Sequence, residues 1–490
     1  MKHLFNIPIQ VTHVTQTLES AGYEAYLVGG CVRDLVIGKE PKDWDITTNA
    51  VPEAIQKLFP RSFYENDYGT VGVVIHETGD RNKDVVEITP YRLETKYSDK
   101  RHPDEVIFSN KLEDDLKRRD FTINSMAYSP SKGQLIDPFG GIKDISEMLI
   151  RAVGNPRDRL KEDALRILRA VRLGTTLGFR IDSELKNVIH ETAHSLDKIS
   201  IERINDEFVK IVMAKNPMEG VQTLNNMSVL KHILPELEEG IGVEQNGDHI
   251  YHVWEHNLRA LQHSADRNWP LHVRLGALLH DVGKPKTRFW SKEKNDWTFY
   301  GHDVVGAKMA AKIMARLHFS KKISDIVTKL VRYHLFFSDV DKITLSAVRR
   351  IVRNVGPENV WDLMKVRACD RIGMGRPKET PYRLRKYEAM IEEAMRSPTS
   401  VGMLKIDGAK IMAVTQETPG PRIGWILHAL LEEALENPEK NEEMFLMKRT
   451  GELSALSDNE LKTIGEKGKG KKEEIESKEI AEIRKRHWVK

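Results

Sequence analysis

Cysteine is almost absent from this 490-residue sequence, which has only Cys31 and Cys369. Two thiols so far apart build neither a disulfide framework nor a cysteine-based zinc site, and their scarcity agrees with a reducing compartment. Long apolar runs are also lacking. No stretch approaches the roughly 18 apolar residues of a membrane span, and the opening Met1-Lys-His-Leu-Phe-Asn6 holds no signal-peptide core. The expectation is a cytoplasmic protein with no membrane partner and no stable protein partner. Charge of one sign is missing too, because 76 basic side chains against 73 acidic ones leave only +3. Overall electrostatics therefore do not announce a nucleic-acid binder, and local clusters must carry that case. Such clusters are Lys117 with Arg118 and Arg119, the arginines from Arg166 to Arg172, Arg349 with Arg350, and a lysine-rich C-terminal segment. No internal repeat is visible.

What is present is an ordinary soluble composition, 40% apolar and 30% charged, at a length that suggests three or four domains. From about residue 23 to 140, short apolar runs alternate with helical patterns. Residues 25–28, 44–47, 70–76 and 84–89 read as strands and 51–58 as a helix, which predicts a mixed α/β domain over 1–142 closed by the turn-rich Asp137-Pro-Phe-Gly-Gly141. Helical periodicity then takes over in three blocks, 143–245, 246–395 and 396–464. Within the first block, helices are predicted over 159–173, 183–196 and 201–213, and within the last over 423–435. Residues 465–490 carry nine Lys or Arg against six Glu and few large apolar groups, which predicts a basic, mobile tail. The fold class expected is α+β, a mixed N-terminal head followed by all-helical domains.

The most informative stretch is Tyr26-Leu-Val-Gly-Gly-Cys-Val-Arg-Asp-Leu35, followed by Asp43-Trp-Asp45. An apolar strand entering Gly29 and Gly30 reads as a turn whose bare backbone approaches a phosphate at the start of a helix. A second strand then brings two carboxylates. Strand alternation places Asp43 and Asp45 on one face, with Trp44 and Ile46 on the other. Adjacent carboxylates repel unless a cation lies between them, and oxygen-only ligands beside a phosphate site suit Mg²⁺. Either half alone is usually a plain turn or a solvated strand, but the combination reads as metal-assisted phosphoryl transfer. Arg33 adds a guanidinium for phosphate. Glu87, on the strand Val85-Val-Glu-Ile-Thr89, is a candidate third carboxylate and equally an exposed strand residue.

Base recognition points to Glu162-Asp-Ala-Leu-Arg-Ile-Leu-Arg-Ala-Val-Arg172. Read as one helix, it places Asp163, Arg166 and Arg169 on one face, while Leu165, Leu168 and Val171 pack inward. A carboxylate beside guanidinium forks reads a base: it accepts from the exocyclic amine of cytosine or adenine while an arginine donates to the ring nitrogen. Uracil and guanine offer a keto oxygen there. Alone, the segment would more often be a salt-bridged solvated helix face.

Together these residues resemble the class II tRNA nucleotidyltransferases and their bacterial poly(A) polymerase relatives. Leu27-Val-Gly-Gly-Cys-Val-Arg-Asp34, Asp43-Trp-Asp-Ile-Thr-Thr48, Arg118-Arg-Asp-Phe-Thr-Ile-Asn-Ser-Met-Ala127, Asp137-Pro-Phe-Gly-Gly141 and Glu162-Asp-Ala-Leu-Arg-Ile-Leu-Arg169 look like that family's motifs, in its order. The resemblance implies that Gly30 and Arg33, next to Gly29, meet the triphosphate and that Asp43 and Asp45 hold Mg²⁺. It implies further that Arg119 and Asp120 link head to nucleotide, and that Asp163, Arg166, Arg169 and Arg172 select CTP and ATP. The implied activity is template-independent addition of CCA to the 3′ end of tRNA with release of pyrophosphate; A-only addition and poly(A) synthesis are the alternatives. Tyr97-Ser-Asp-Lys-Arg-His-Pro-Asp-Glu-Val106 resembles the family's intact flexible loop, which argues against CC-only addition.

A second constellation follows in the helical blocks. Tyr251-His-Val-Trp-Glu-His256, Ala277-Leu-Leu-His-Asp-Val-Gly-Lys284, Gly301-His-Asp303 and Ala368-Cys-Asp-Arg371 resemble the HD phosphohydrolase superfamily. The resemblance implies a site of His256, His280, Asp281, His302 and Asp370, with His334 as a further candidate, holding a transition metal such as Mn, Ni, Co or Fe. An HD phosphohydrolase with an RNA-binding head is the reading from another class. Near the C-terminus, Ile406-Asp-Gly408 and Pro419-Gly-Pro-Arg-Ile-Gly424 resemble the family's tRNA-contacting region.

Overall fold

The structure is a computed structural model, and it describes residues 5–64, 69–76, 78, 80, 84–94, 106–247, 249–335, 343–396 and 401–489. Residues 97–105 of the expected flexible loop lie outside the described residues. Contacts divide the chain into two units, 1–334 with 365–377, and 335–364 with 378–490.

The head of the first unit is a seven-stranded sheet. In chain order its strands are β1 (Ala25–Val28), β2 (Trp44–Thr48), β3 (Ser62–Tyr64), β4 (Val71–Val74) and β5 (Val85–Pro90), then, past a small two-stranded ribbon of β6 (Arg92–Glu94) and β7 (Val106–Phe108), β8 (Ala127–Ser129) and β9 (Gln134–Ile136). They lie side by side as β3-β4-β5-β2-β1-β8-β9. Only β2 and β5 run parallel; every other pair is antiparallel. Leu27, Ile46, Val86 and Ile88 are fully buried in the central strands, each stabilising the sheet by about 1.5–3 kcal/mol. The alternation that hides them turns the intervening carboxylates of β2 and β5 to the other side.

Beyond the head the chain is mostly helical, as its 3.6-residue periodicity requires. One continuous apolar core runs from Phe121 to Val331. The helix Ile201–Val212 shows how it forms: Ile204, Phe208, Ile211 and Val212 point into it, while Arg203 reaches the cleft described below and Glu207 pairs with Arg172. Two expectations are corrected here. The region is not purely helical: Leu149–Ile150 pairs in parallel with Arg180–Ile181, and Phe289–Ser291 forms a hairpin with Asp296–Thr298. Nor does one helix span 159–173. The helix Pro156–Glu162 ends before Asp163, whose φ of −140° is extended, and a new helix runs Arg166–Leu177.

The second unit contains the helices Leu345–Val355, Tyr382–Met395, Gly408–Thr415, Pro421–Glu436, Glu443–Ser454 and Asp458–Arg486. The last replaces the mobile tail expected from 465. Ser457 and Glu460 form a capping box at its start, and two glycines let it lie against the helix Pro421–Glu436. A Cβ on Gly468 would stand 2.4 Å from the His428 carbonyl oxygen, and one on Gly465 would stand 2.7 Å from Trp425 Cα. Those glycines and the lysines between them read as low complexity, although they are what close helix packing demands. No helix of the described residues is long and apolar enough to cross a membrane.

Candidate active site

The first strand ends where the cleft begins. β1 stops at Val28, Gly29 turns the chain with φ of 80°, and a helix runs from Gly30 to Ile37. A side chain at Gly29 would need a left-handed backbone, and its Cβ would stand 3.0 Å from Arg119 Nη1 and 3.5 Å from Asp45 Oδ2. The first N–H groups of the helix have no partners within it and suit an anion. Arg33 is fixed in place beside them, donating from Nε and Nη2 to Asp34 Oδ1 at 2.9 and 2.7 Å and from Nη1 to Asn124 Oδ1 at 2.7 Å.

The acidic side comes from the sheet. Asp45 lies on β2 directly opposite Glu87 of the parallel β5, so both side chains leave the same face. Asp43 sits in the bend just before β2, not within the strand. Burial, and then the Asp43 charge, push the Asp45 carboxyl up to about 7; Glu87 adds to the rise and Arg119 opposes it. Carboxylates crowded until one resists ionising are a fit for a cation bound through oxygen.

Asp115 organises the basic side. Fully buried, it accepts through Oδ1 from Arg118 Nε and Nη2 at 2.8 and 2.6 Å, and through Oδ2 from Arg119 Nε and Nη2 at 3.3 and 3.0 Å. Burial works against the ionised Asp115, yet Arg119 and then Arg118 hold its carboxyl below the usual range. Sequence reading passed over this residue, although its spacing of three and four residues from the two arginines on a short helix was a usable signal. Asp115→Ala removes the carboxylate that both guanidiniums share, with an expected loss of about 3 kcal/mol in stability. Thermal denaturation of the variant should show Tm lower by several degrees.

Asp120 joins the next layer. Its Oδ1 accepts from the Phe121 N–H at 2.8 Å and Asn124 Nδ2 at 3.2 Å, and its Oδ2 from Arg169 Nε at 2.7 Å. Burial opposes its charge, but Arg169 and Arg166 hold it well below the usual carboxylate range. Asp163, in the break between two helices, accepts from the Leu165 N–H at 3.0 Å and from Arg203 Nη2 at 2.8 Å. Arg166 is held by Glu162 at 2.6 Å and by the carbonyls of Arg159 and Arg118, each at 3.0 Å. Arg172 Nε lies 2.7 Å from Glu207 Oε2. Neither Arg203 nor Glu207 was legible as a partner, because they sit 40 and 35 residues further along the chain.

These groups line one cleft of about 480 Å³, in which seven arginines and four aspartates converge. Gly29, Gly30, Arg33, Asp43, Asp45, Arg119, Asp120, Asp163, Arg166, Arg169 and Arg172 all face it, with Arg118, Asn124 and Arg203 added by the structure. Glu87 stands beside Asp45 at the sheet. With seven guanidiniums lining it, the cleft can hold a polyanion such as a triphosphate beside carboxylates that suit a cation.

The histidine cluster is separate. The ligand atoms of His249, His256, Asp281 and Asp370 lie within 4.8 Å of one another, and so do those of Asp281, His302 and His334. Asp281 belongs to both groups. His280, His302 and His334 each place Nδ1 against a carbonyl three residues earlier, Ala277, Phe299 and Val331, at 2.7, 2.6 and 2.7 Å. A carbonyl only accepts, so Nδ1 carries a proton in each, and the neutral rings of His302 and His334 turn an Nε2 lone pair inward, the orientation that metal-binding imidazoles adopt. Asp281 Oδ1 lies 3.3 Å from His302 Nε2 and 3.4 Å from His334 Nε2, and Lys284 Nζ lies 2.5 Å from Oδ2. His280 falls outside both groups, its Nε2 being 2.7 Å from His256 Nε2. Burial disfavours the His280 imidazolium, but Asp281 and then Asp370 overcome it and push the group up to about 10. Burial, followed by Lys284, brings His249 down to about 4. Sequence reading missed His249, which precedes the first helix of this block.

Three family models match the chain: the poly A polymerase head domain at residues 25–151, the probable RNA and SrmB-binding site of polymerase A at 178–241, and the HD domain at 248–371. A CCA-adding enzyme of Ligilactobacillus salivarius is 45% identical over 231 residues, covering 46% of this chain and 55% of the relative. One of Lactococcus lactis is 43% identical over 232 residues, covering 47% and 57%. The chain thus spans about half the length of the curated relatives it matches. Among solved structures, the Bacillus stearothermophilus CCA-adding enzyme in complex with CTP superposes with a TM-score of 0.61 at 25% identity, covering 91% of this chain and 98% of that one.

Proposed function

We propose that this chain, which belongs to the family of class II tRNA nucleotidyltransferases and bacterial poly(A) polymerases and carries an HD domain, adds C, C and A to the 3′ end of tRNA from CTP and ATP. The observation that supports it best is the one cleft in which the Gly29-Gly30 turn, the carboxylates of Asp43 and Asp45, and Asp163 face one another. Asp43 and Asp45, with Glu87 alongside, would hold Mg²⁺. Bound there, the metal supplies charge neutralisation for the attacking 3′ hydroxyl and the leaving pyrophosphate. Gly29, Gly30 and Arg33 would orient the triphosphate, with Arg119, held by Asp115, beside the same turn. Asp163 accepts from the amine of cytosine or adenine. Because Arg203 and the Leu165 N–H fix that carboxylate before any base arrives, selection is preorganised. Both cysteines are buried and neither is in a disulfide, which agrees with a cytoplasmic setting.

The deciding experiment offers the full-length chain three transcripts, ending in the discriminator base, in C or in CC, with each triphosphate separately. Full CCA addition predicts incorporation of CTP on the first two and of ATP on the third. ATP incorporation on the CC end alone would assign an A-adding enzyme. Unlimited ATP addition would assign a poly(A) polymerase.

A second reading, of the HD cluster, rests on the inward-facing Nε2 atoms around Asp281. They fit one or two divalent transition metals, and Asp281 is the carboxylate both would share. Such a site suits hydrolysis of phosphate esters, 2′,3′-cyclic ends included. Adding Mn²⁺ to chelator-stripped protein at 100 times its dissociation constant should stabilise it by about 2.7 kcal/mol. Differential scanning calorimetry should show that gain, and Asp281→Ala should abolish it.

A further inference from the structure

Between Lys284 and His302 the chain leaves the helical core, forms the hairpin Phe289–Ser291 with Asp296–Thr298, and returns. A hairpin of three-residue strands gains little by burial, and here the aromatic rings point outward: Phe289 is 68% exposed, Trp290 42% and Tyr300 72%. Cations interleave with them. The Arg288 guanidinium lies 3.6 Å from the Trp297 ring centre, and Trp297 meets Trp290 edge to face at 5.1 Å. Lys294 Nζ donates to the Tyr300 hydroxyl at 2.7 Å. Residues 284–300 carry five basic and two acidic side chains.

The hairpin is also braced. Gly247 N–H donates to Asp296 Oδ2 at 3.2 Å, and Thr298 Oγ1 donates to the Phe289 carbonyl at 3.0 Å. Its two ends run into the histidine cluster. Lys284, which pairs with Asp281, precedes the first strand, and the carbonyl of Phe299, just past the second, accepts from His302 Nδ1.

We infer that this hairpin is a stacking platform for an unpaired RNA segment. Exposed rings interleaved with lysine and arginine are what a flexible strand needs: each unstacked base covers a π face while its phosphate meets a cation. Duplex bases are already stacked and gain nothing there. A protein partner would leave several lysines to be desolvated without compensation, whereas a polyanion supplies it. Binding on the hairpin does not rest on catalysis by the histidine cluster, although an RNA end held on it would lie beside that cluster.

The test uses the full-length protein with a 4-thiouridine-substituted unpaired octamer and the same sequence closed in a duplex. Photo-crosslinks of the octamer should map to the peptide containing residues 288–300, and those of the duplex should not. Phe289→Ala with Trp290→Ala should weaken octamer binding about tenfold or more by fluorescence anisotropy, and Trp290→Phe should retain most of it. Lys292→Gln with Lys294→Gln should flatten the dependence of affinity on salt. Crosslinks confined to other peptides, together with unchanged affinity in an alanine variant of unaltered Tm, would overturn the inference. So would an alanine variant that dissociates an oligomer in sedimentation while its crosslinks persist, since the surface would then be a protein contact.

Discussion

Asp43→Ala is expected to eliminate incorporation of both CTP and ATP, with kcat falling about 10³-fold or more and nucleotide binding largely kept. The proposed Mg²⁺ stabilises charge that develops only in the transition state, an effect worth several kcal/mol, and each 1.4 kcal/mol is about tenfold in rate. The phosphate-holding turn and arginines remain in the variant, so KM should move far less. Asp45→Asn separates this role from a structural one. In the metal-free protein Asp45 is raised from 3.8 to about 7, burial and Asp43 being the main causes. Above pH 4 the unfolded chain ionises this group freely while the folded one resists until about 7, so its contribution to stability is lost as pH rises through that window. The neutral amide escapes that loss. Chelator-treated Asp45→Asn should therefore melt higher than the parent at pH 8, with the gap closing toward pH 4, although it incorporates no nucleotide. Lower Tm at pH 8 would mean that Asp45 serves the fold.

Asp163→Ala is expected to leave the chemistry and lose the choice. Discrimination of CTP and ATP against UTP and GTP should fall about 10- to 100-fold, the worth of a charged hydrogen bond of about 1.5–3 kcal/mol. Competition assays on primers ending in the discriminator base or in CC would measure it, and unchanged rejection of UTP and GTP would remove Asp163 from base reading. Arg203→Ala is the companion. It keeps the carboxylate but frees one oxygen from its 2.8 Å partner, so selectivity should fall by less, with the deficit falling mainly on KM.

Strands and turns around the cleft were largely readable because their signals are local. Two glycines after an apolar run and arginines three apart on a helix each fix a direction by backbone geometry alone, whereas Asp43, in the bend before β2, is not placed by strand alternation. Parts of the site that came from afar were not readable. Asp163 and Arg203, Arg172 and Glu207, and Arg33 and Asn124 meet only because the sheet and the helices stack as they do. Periodicity also misled in two places, for different reasons. It ran one helix through Asp163 because the apolar positions on both sides of the break keep nearly the same phase. It declared residues 465–490 mobile because glycine and lysine look solvated in one dimension, whereas Gly465 and Gly468 are where another helix lies. The helical block likewise hid the exposed hairpin, since a few aromatic residues between charges show no strand alternation long enough to register.

The parallel pairing of β2 with β5 also sets when the protein can begin to work. Asp45 and Glu87 become neighbours only once strands 42 residues apart in sequence have closed on each other, after two antiparallel hairpin-like steps that need far shorter loops. Contacts of such separation form late and slowly in folding. Before that closure no intermediate has the three carboxylates together, so partly folded or newly emerging chains would lack the full set proposed to hold Mg²⁺. A divalent ion would then recognise the finished sheet and pull the equilibrium toward it, which makes completion of the head and readiness for chemistry the same event.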